Sequence, residues 1–318
     1  MKSLRPVLCF LTFTCALLPV FALAATSAPK KVLVVTVTTG FRHASIPTAE
    51  KILGELAAKS GKFTVEFVRQ PDGAPKAPTR PRPNAKGESS VEHQQALMKF
   101  AEAEKAHRSA VAAWMPKVKA ALEKLSPANL KNYDAVLFAS TTGDDFPMPD
   151  QQGFLDWIAS GKAFIGVHAA TDTLKQFGPY VSMIGGAFRT HGPQVTVECV
   201  NQDPSHAACA TLPQRWTVFD EIYEFKNFER PRVHGLLTLD QHPQDKTPGD
   251  NPVAWARNHG RGRVFYTSLG HREDVWDPEY TQGGRKNSPE VARQFQQHLL
   301  GGILWALGLA DGKIAHQK

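Results

Sequence analysis

A chain of 318 residues with a formal charge of +7 suits one large α/β domain, or one domain carrying an insertion, better than two separate cores. The excess charge is local, since residues 72–130 hold ten Lys/Arg against six Asp/Glu. A nucleic-acid binder needs a basic stripe with interleaved aromatics over its main face, and that class is set aside. Lys2 and Arg5 precede an apolar run from Val7 to Leu23 that ends in small residues at Ala24. That layout predicts a cleaved leader over residues 1–24 and a periplasmic or secreted chain. Removing those two cations leaves +5, and no later segment is apolar for long enough to span a bilayer. Cys9 and Cys15 leave with the leader, and the short loop between Cys199 and Cys209 predicts a disulfide in an oxidising compartment.

The run Lys31 to Thr38 is rich in β-branched residues and reads as a strand buried on both faces. Pro47 opens a helix with Ile52, Leu53 and Leu56 on one side, and Phe63 to Val68 is a second strand. Residues 71–87 are rich in Pro, Lys and Arg and read as a linker, followed over 91–125 by helices broken near Pro116. Together they form a helical insertion over 72–130, read as a surface decoration. Tyr133 to Ala139 is a third strand, Met148-Pro149 starts a helix through Ile158, and Ala163 to Val167 is a fourth strand. Shorter strands follow at 194–200, 218–225, 233–239, 253–257 and 264–268, some of them antiparallel, and Pro289 to Leu307 is a closing helix. Strands alternating with helices predict a doubly wound, mainly parallel sheet over residues 30–310.

In such a sheet the ligand crevice lies beyond the carboxyl ends of the strands. Histidine recurs there, as His43 after the first strand, His168 after the fourth and His271 after the last. Imidazole serves as base, acid or metal ligand near neutral pH. Gly166-Val-His-Ala-Ala170 has the small neighbours that a sharp strand-to-helix elbow requires, and it presents His168. His191 follows the glycine-rich block Ile184 to Phe188, and Asp220 or Glu221 could supply a carboxylate, one of the two facing solvent because strand residues alternate. Tyr223, Trp255 and Trp276 are aromatics able to stack on a sugar ring, or to pack in the core.

The blocks Thr39-Gly-Phe-Arg-His43, Gly166 to Asp172, Ile184 to Phe188 with His191, Asp220 to Tyr223, Pro252 to Trp255 and Gly262 to His271 together resemble the trehalose-utilisation (ThuA-like) family, across residues 30–308 apart from the insertion. The resemblance implies a flavodoxin-like fold of the class I glutamine amidotransferase type. Those enzymes carry cysteine at the elbow. Here imidazole stands in place of the thiolate that an acyl-enzyme needs, so glutaminase activity is not expected. What it implies instead is a hydrolase or lyase of carbohydrate catabolism acting on a 3-keto glycoside or disaccharide, with a non-catalytic carbohydrate-binding or interaction module as the alternative. On that reading His168, His43 and Asp172 are catalytic, and Arg42, Thr142, Asp144, Tyr223 and Trp276 contact substrate. His168, His191, His271 and Glu221 would hold a divalent metal, zinc first, and no nucleotide cofactor is expected. The partner is a small sugar rather than nucleic acid.

Overall fold

Continuous β-branched and aromatic runs form the centre of the protein. The computed structural model describes residues 28–82 and 91–314; the expected leader, and residues 83–90 of the expected insertion, lie outside them. In chain order the elements are β1 (Lys30–Val35), α1 (Ile46–Ser60), β2 (Phe63–Val68), α2 (Val91–Leu122), α3 (Pro127–Leu130), β3 (Ala135–Ala139), α4 (Gln151–Ala159) and β4 (Ala163–Val167). Next come α5 (Gly178–Ile184), β5 (Ala187–His191), β6 (Val195–Asn201), β7 (Arg215–Asp220), β8 (Tyr223–Lys226), β9 (His234–Gln241), β10 (Pro248–His259), β11 (Gly262–Thr267), α6 (Glu273–Trp276) and α7 (Pro289–Ala306).

Nine strands join in the order β2-β1-β3-β4-β11-β10-β9-β6-β7, while β5 and β8 pair separately. From β2 to β11 every pairing is parallel, and from β11 to β10 onward the strands run antiparallel. Alternate residues of each central strand enter different layers, as the two-residue pleat requires. Val32 and Val34 pack under α1 and α7 with Ile52, Leu53, Phe295 and Ile303. Leu33 and Val35 meet the opposite layer, built from Trp114 and Val118 of α2, Phe154 of α4 and Tyr180 of α5. With helices on both faces, this is the expected doubly wound architecture. The strand order reverses between β1 and β3, which opens a crevice at their carboxyl ends.

The sequence reading differs from the structure in five places. The stretch read as a surface decoration is one, because Trp114, Val118 and Leu122 of α2 are buried in the core layer on one face of the sheet. The stretch 218–225 is two strands, because Glu221 and Ile222 turn the chain from the large sheet into the β5–β8 ribbon. β5 itself occupies what reads as a glycine-rich loop. The expected break near Pro116 is a single helix, α2, with Pro116 inside it. Pro116 and Ala112 are both exposed, so the carbonyl that proline leaves without a donor faces water. The expected disulfide is absent as well, and both thiols are buried and free. Cys199 sits in β6 within the core, and the Cys209 thiol donates to the Leu236 carbonyl at 3.5 Å. Burial pushes both thiols up to about 12. Alkylation of native protein at neutral pH is therefore expected to leave Cys199 and Cys209 unmodified, with both reacting once denaturant is added. Peptide mapping checks this, and a linked 199–209 peptide would contradict it. No helix among the described residues is long and apolar enough to cross a membrane.

Candidate metal centre and pocket

The three histidines expected at strand ends converge. His43 lies in the loop between β1 and α1, His168 begins the turn after β4, and His271 follows β11. One side-chain nitrogen from each, with a carboxylate oxygen of Glu221, lie within 4.8 Å of one another. The ring centroids of His43 and His168 are 4.6 Å apart, and each is 5.2 Å from that of His271.

Local backbone explains the placement. His168 has φ +52°, in the left-handed region where a non-glycine residue is strained by roughly 1–2 kcal/mol. Hydrogen bonds hold it there: its Nδ1–H donates to the Ser268 carbonyl at 2.7 Å, and the Tyr266 hydroxyl donates to its own carbonyl at 2.8 Å. Two residues earlier the strand must pass close to its neighbours, for a Cβ on Gly166 would stand 2.9 Å from the Tyr266 ring. Asp220 closes the far side by accepting from the Glu221 amide at 2.9 Å and from the Gly270 amide at 2.7 Å. It therefore joins the end of β7 to the turn that carries His271. Asp220 and Glu221 are both buried, which corrects the expectation that one of them is solvated. The chain turns between them, so strand alternation does not apply.

The loop after His271 is tied down by Asp274, which accepts from Arg272, from the Asn287 side chain, and from the Lys286 and Asn287 amides. Burial alone would raise this carboxyl, but Arg272 and the amides outweigh it and hold Asp274 at about 2. A carboxyl depressed in the folded state stabilises above its unfolded value, near 3.8, and that contribution is lost as pH falls toward 2. Asp274→Asn is expected to lower stability at pH 7 by about 2 kcal/mol and to flatten the loss of stability between about pH 5 and 2. Urea titrations at the two pH values check it.

Charge in the cluster favours ligation. His168 is driven well below its ordinary value by burial and by the imidazoles of His43 and His271, and His43 is lowered to about 4, again chiefly by burial. Burial also opposes protonation of His271, but the hydrogen bond that its Nδ1–H donates to Glu221, at 3.1 Å, leaves it raised. With Nδ1 of His168 donating to Ser268, its Nε2 is the acceptor turned into the cluster, where the Tyr223 hydroxyl donates to it at 2.9 Å. Among the described residues His43 Nδ1 is buried without a hydrogen-bond partner.

These donors fit a first-row divalent cation. Three imidazoles and one carboxylate form a donor set that zinc accepts, and ligands about 2.05 Å from a tetrahedral centre stand about 3.3 Å from one another. The separations are 3.1 Å for His271–Glu221, 3.3 Å for His271–His168 and 3.7 Å for His168–Glu221. The carbonyl of Ser268 on the far nitrogen of His168 is the kind of outer partner that fixes the tautomer of a metal-binding imidazole.

Above the cluster lies a pocket of about 370 Å³, lined by Phe41, His43, Asp172, Phe188, His191, Glu221, Tyr223 and His271. His43 joins the candidate ligands in place of His191. The imidazole of His191 instead contacts the other oxygen of Glu221, at 3.0 Å, and stands half exposed at the rim. Asp172 borders the pocket and pairs with Lys175 at 2.5 Å, and burial leaves its carboxyl raised. Four residues expected to touch substrate do not line this pocket. Arg42 turns back to the Thr36 carbonyl, Thr142 donates to the Phe41 carbonyl, Asp144 accepts from the Lys175 amide, and Trp276 is buried with its indole N–H on the Gly270 carbonyl. Trp255 is buried too, donating to the Ile184 carbonyl. Phe41 and Phe188 are the pocket residues that sequence reasoning missed. Both lie inside the quoted blocks, Phe41 two residues before His43 and Phe188 two residues after the paired glycines.

A mainly parallel sheet whose strand order reverses beside a polar crevice defines a doubly wound, flavodoxin-like α/β protein, and here the turn after β4 presents imidazole. The sequence model of the trehalose-utilisation (ThuA) family matches residues 84–306, and the chain belongs to that carbohydrate-related family. It is similar in fold to a ThuA-like protein from Parabacteroides merdae, with 17% identity, a TM-score of 0.57, and coverage of 90% of this chain and 93% of that one. A ThuA-like protein from Bacteroides uniformis, also 17% identical, gives a TM-score of 0.55 with 88% and 93% covered. No curated protein matches the sequence.

Proposed function

We propose that the protein is an exported hydrolase or lyase of carbohydrate catabolism that cleaves a 3-keto glycoside by elimination and hydration. The observation that carries the reading is the donor cluster of His43, His168, Glu221 and His271 on the floor of a pocket whose wall includes a separate carboxylate, Asp172. A divalent cation held there would supply a Lewis acid for the ketone oxygen. The volume, about 370 Å³, is in the range of small-ligand pockets.

With His43 and His168 engaged as ligands, Asp172 is the pocket carboxylate left to act as base. A ketone at C3 acidifies the C2 hydrogen. Asp172 takes that proton, the electron pair forms a C1–C2 double bond, and the bond from C1 to the leaving oxygen breaks. Asp172 hands that proton to the leaving oxygen, and water then adds its oxygen at C1 and a proton at C2, leaving a free 3-keto sugar and an alcohol. Burial raises Asp172 and so strengthens it as a base, while Lys175 keeps it ionised near neutral pH. Tyr223, freed from His168 once that nitrogen is taken, has its hydroxyl at the pocket floor to donate to a substrate oxygen.

The test is incubation of zinc-loaded protein with methyl 3-keto-α-D-glucopyranoside in D₂O. The expected result is methanol release with deuterium appearing at C2. Release without deuterium would refute elimination, and no release from this or any other 3-keto glycoside would refute the substrate class.

A further inference from the structure

Phe41, Val91, Met98 and Leu309 are the exposed large apolar side chains among the described residues, and of these Phe41 alone borders the pocket over the imidazole cluster. Its exposure, 66%, is not that of a loose loop tip. The Thr39 amide donates to the Thr142 carbonyl at 2.9 Å, and the Thr142 hydroxyl donates to the Phe41 carbonyl at 2.8 Å. Gly143, at φ +111°, lets the two loops meet, since a Cβ there would collide with Thr39. The phenyl ring stands edge-on to His43 with centroids 4.8 Å apart. Phe188, packed on Tyr223 at 4.5 Å between centroids, supplies a second phenyl to the same pocket. Neither ring belongs to the hydrophobic core on either face of the sheet. The backbone thus holds an apolar surface in solvent beside a polar floor, an arrangement that folding alone gives no reason for.

A pyranose ring with equatorial hydroxyls has the matching shape. Its faces present C–H groups and its edge presents hydroxyls, so phenyls suit the faces while imidazole, carboxylate and phenol suit the edge. Tyr223, Trp255 and Trp276, the aromatics expected to stack, are all buried and offer no face. We propose that Phe41, with Phe188, is the stacking surface that selects gluco-configured pyranosides. The proposal deepens the keto-glycoside reading and rests on it. Phe41 acts as a positioning residue, holding the sugar over the cluster without touching the reacting bonds.

The experiment uses the zinc-loaded full chain with methyl α-D-glucopyranoside and methyl α-D-galactopyranoside, read by saturation-transfer NMR and by titration. Saturation is expected on the ring-face protons of the glucoside, and weaker binding of the galactoside, whose axial C4 hydroxyl interrupts one face. Phe41→Ala is expected to weaken glucoside binding about tenfold with unchanged zinc content, and Phe41→Trp to retain it. With the keto-glycoside, Phe41→Ala should raise KM more than it lowers kcat. Unchanged glucoside affinity in Phe41→Ala would overturn the proposal and leave the keto-glycoside chemistry standing. Zinc lost together with sugar would overturn it by showing that the ring merely supports His43. A dimer of the wild type that Phe41→Ala dissociates, with no saturation of the glucoside, would overturn it in favour of self-association. Failure of the wild type to bind either pyranoside overturns stacking, whereas the parent reading falls only if the keto-glycoside is not turned over either.

Discussion

Replacing His168 with alanine is expected to abolish metal retention and turnover together. The imidazole nitrogen facing the cluster stands 3.3 Å from His271 and 3.7 Å from Glu221, so its loss removes a central donor. Weakening an outer partner of a metal ligand costs about 10–100-fold in affinity, and loss of a ligand itself is expected to exceed about 100-fold. Alanine also leaves the Ser268 carbonyl without the donor it has at 2.7 Å. Some stability is therefore lost even without metal, and the apo forms of both proteins are the reference pair for thermal unfolding. Zinc should raise the midpoint of the wild type and leave that of His168→Ala unchanged, because a ligand stabilises only the state that binds it. Glu221→Gln, which keeps the shape of the side chain, should fall between them in zinc affinity. Equal zinc content in His168→Ala and wild type would remove His168 from the site.

The second large effect separates chemistry from ligation. Asp172→Asn is expected to retain zinc and to bind sugar, yet to lower kcat by about 10²–10⁴-fold, the usual contribution of a positioned base. Asp172 lines the pocket but is not among the four clustered donors, so zinc stoichiometry is kept while kcat falls. The test is to measure zinc content alongside C2 deuterium incorporation. Incorporation at the wild-type rate would exclude Asp172 as the base and return that role to a histidine.

The parallel half of the sheet is legible because its strands are buried on both faces and therefore read as unbroken runs without polar residues, as in Val32 to Val35 and Ala163 to Val167. β5 was not. Its Ala-Phe-Arg-Thr-His sequence is half exposed in a two-stranded ribbon, and the glycines before it suggest a turn. Pro116 predicts a broken helix because proline removes a hydrogen bond, and only the fold reveals that the freed carbonyl lies in water. For the site, strand-end position sufficed to find His43, His168 and His271. It could not choose between Asp220 and Glu221, whose roles depend on the turn between β7 and β8 and on the Gly270 amide brought from far along the chain. The place of Trp276 is illegible in the sequence for a related reason. An indole in sequence looks the same in a core as at a binding surface, and here its N–H is consumed by Gly270 while its ring packs on Phe295.

X-ray absorption at the zinc edge of the purified, zinc-loaded chain tests the cluster most directly. Three nitrogen neighbours and one oxygen from the protein are expected at about 2.0–2.2 Å, with imidazole scattering beyond them. Zinc that washes off on gel filtration, or that shows an oxygen-only shell without imidazole, would contradict the assignment of His43, His168, His271 and Glu221 as its ligands.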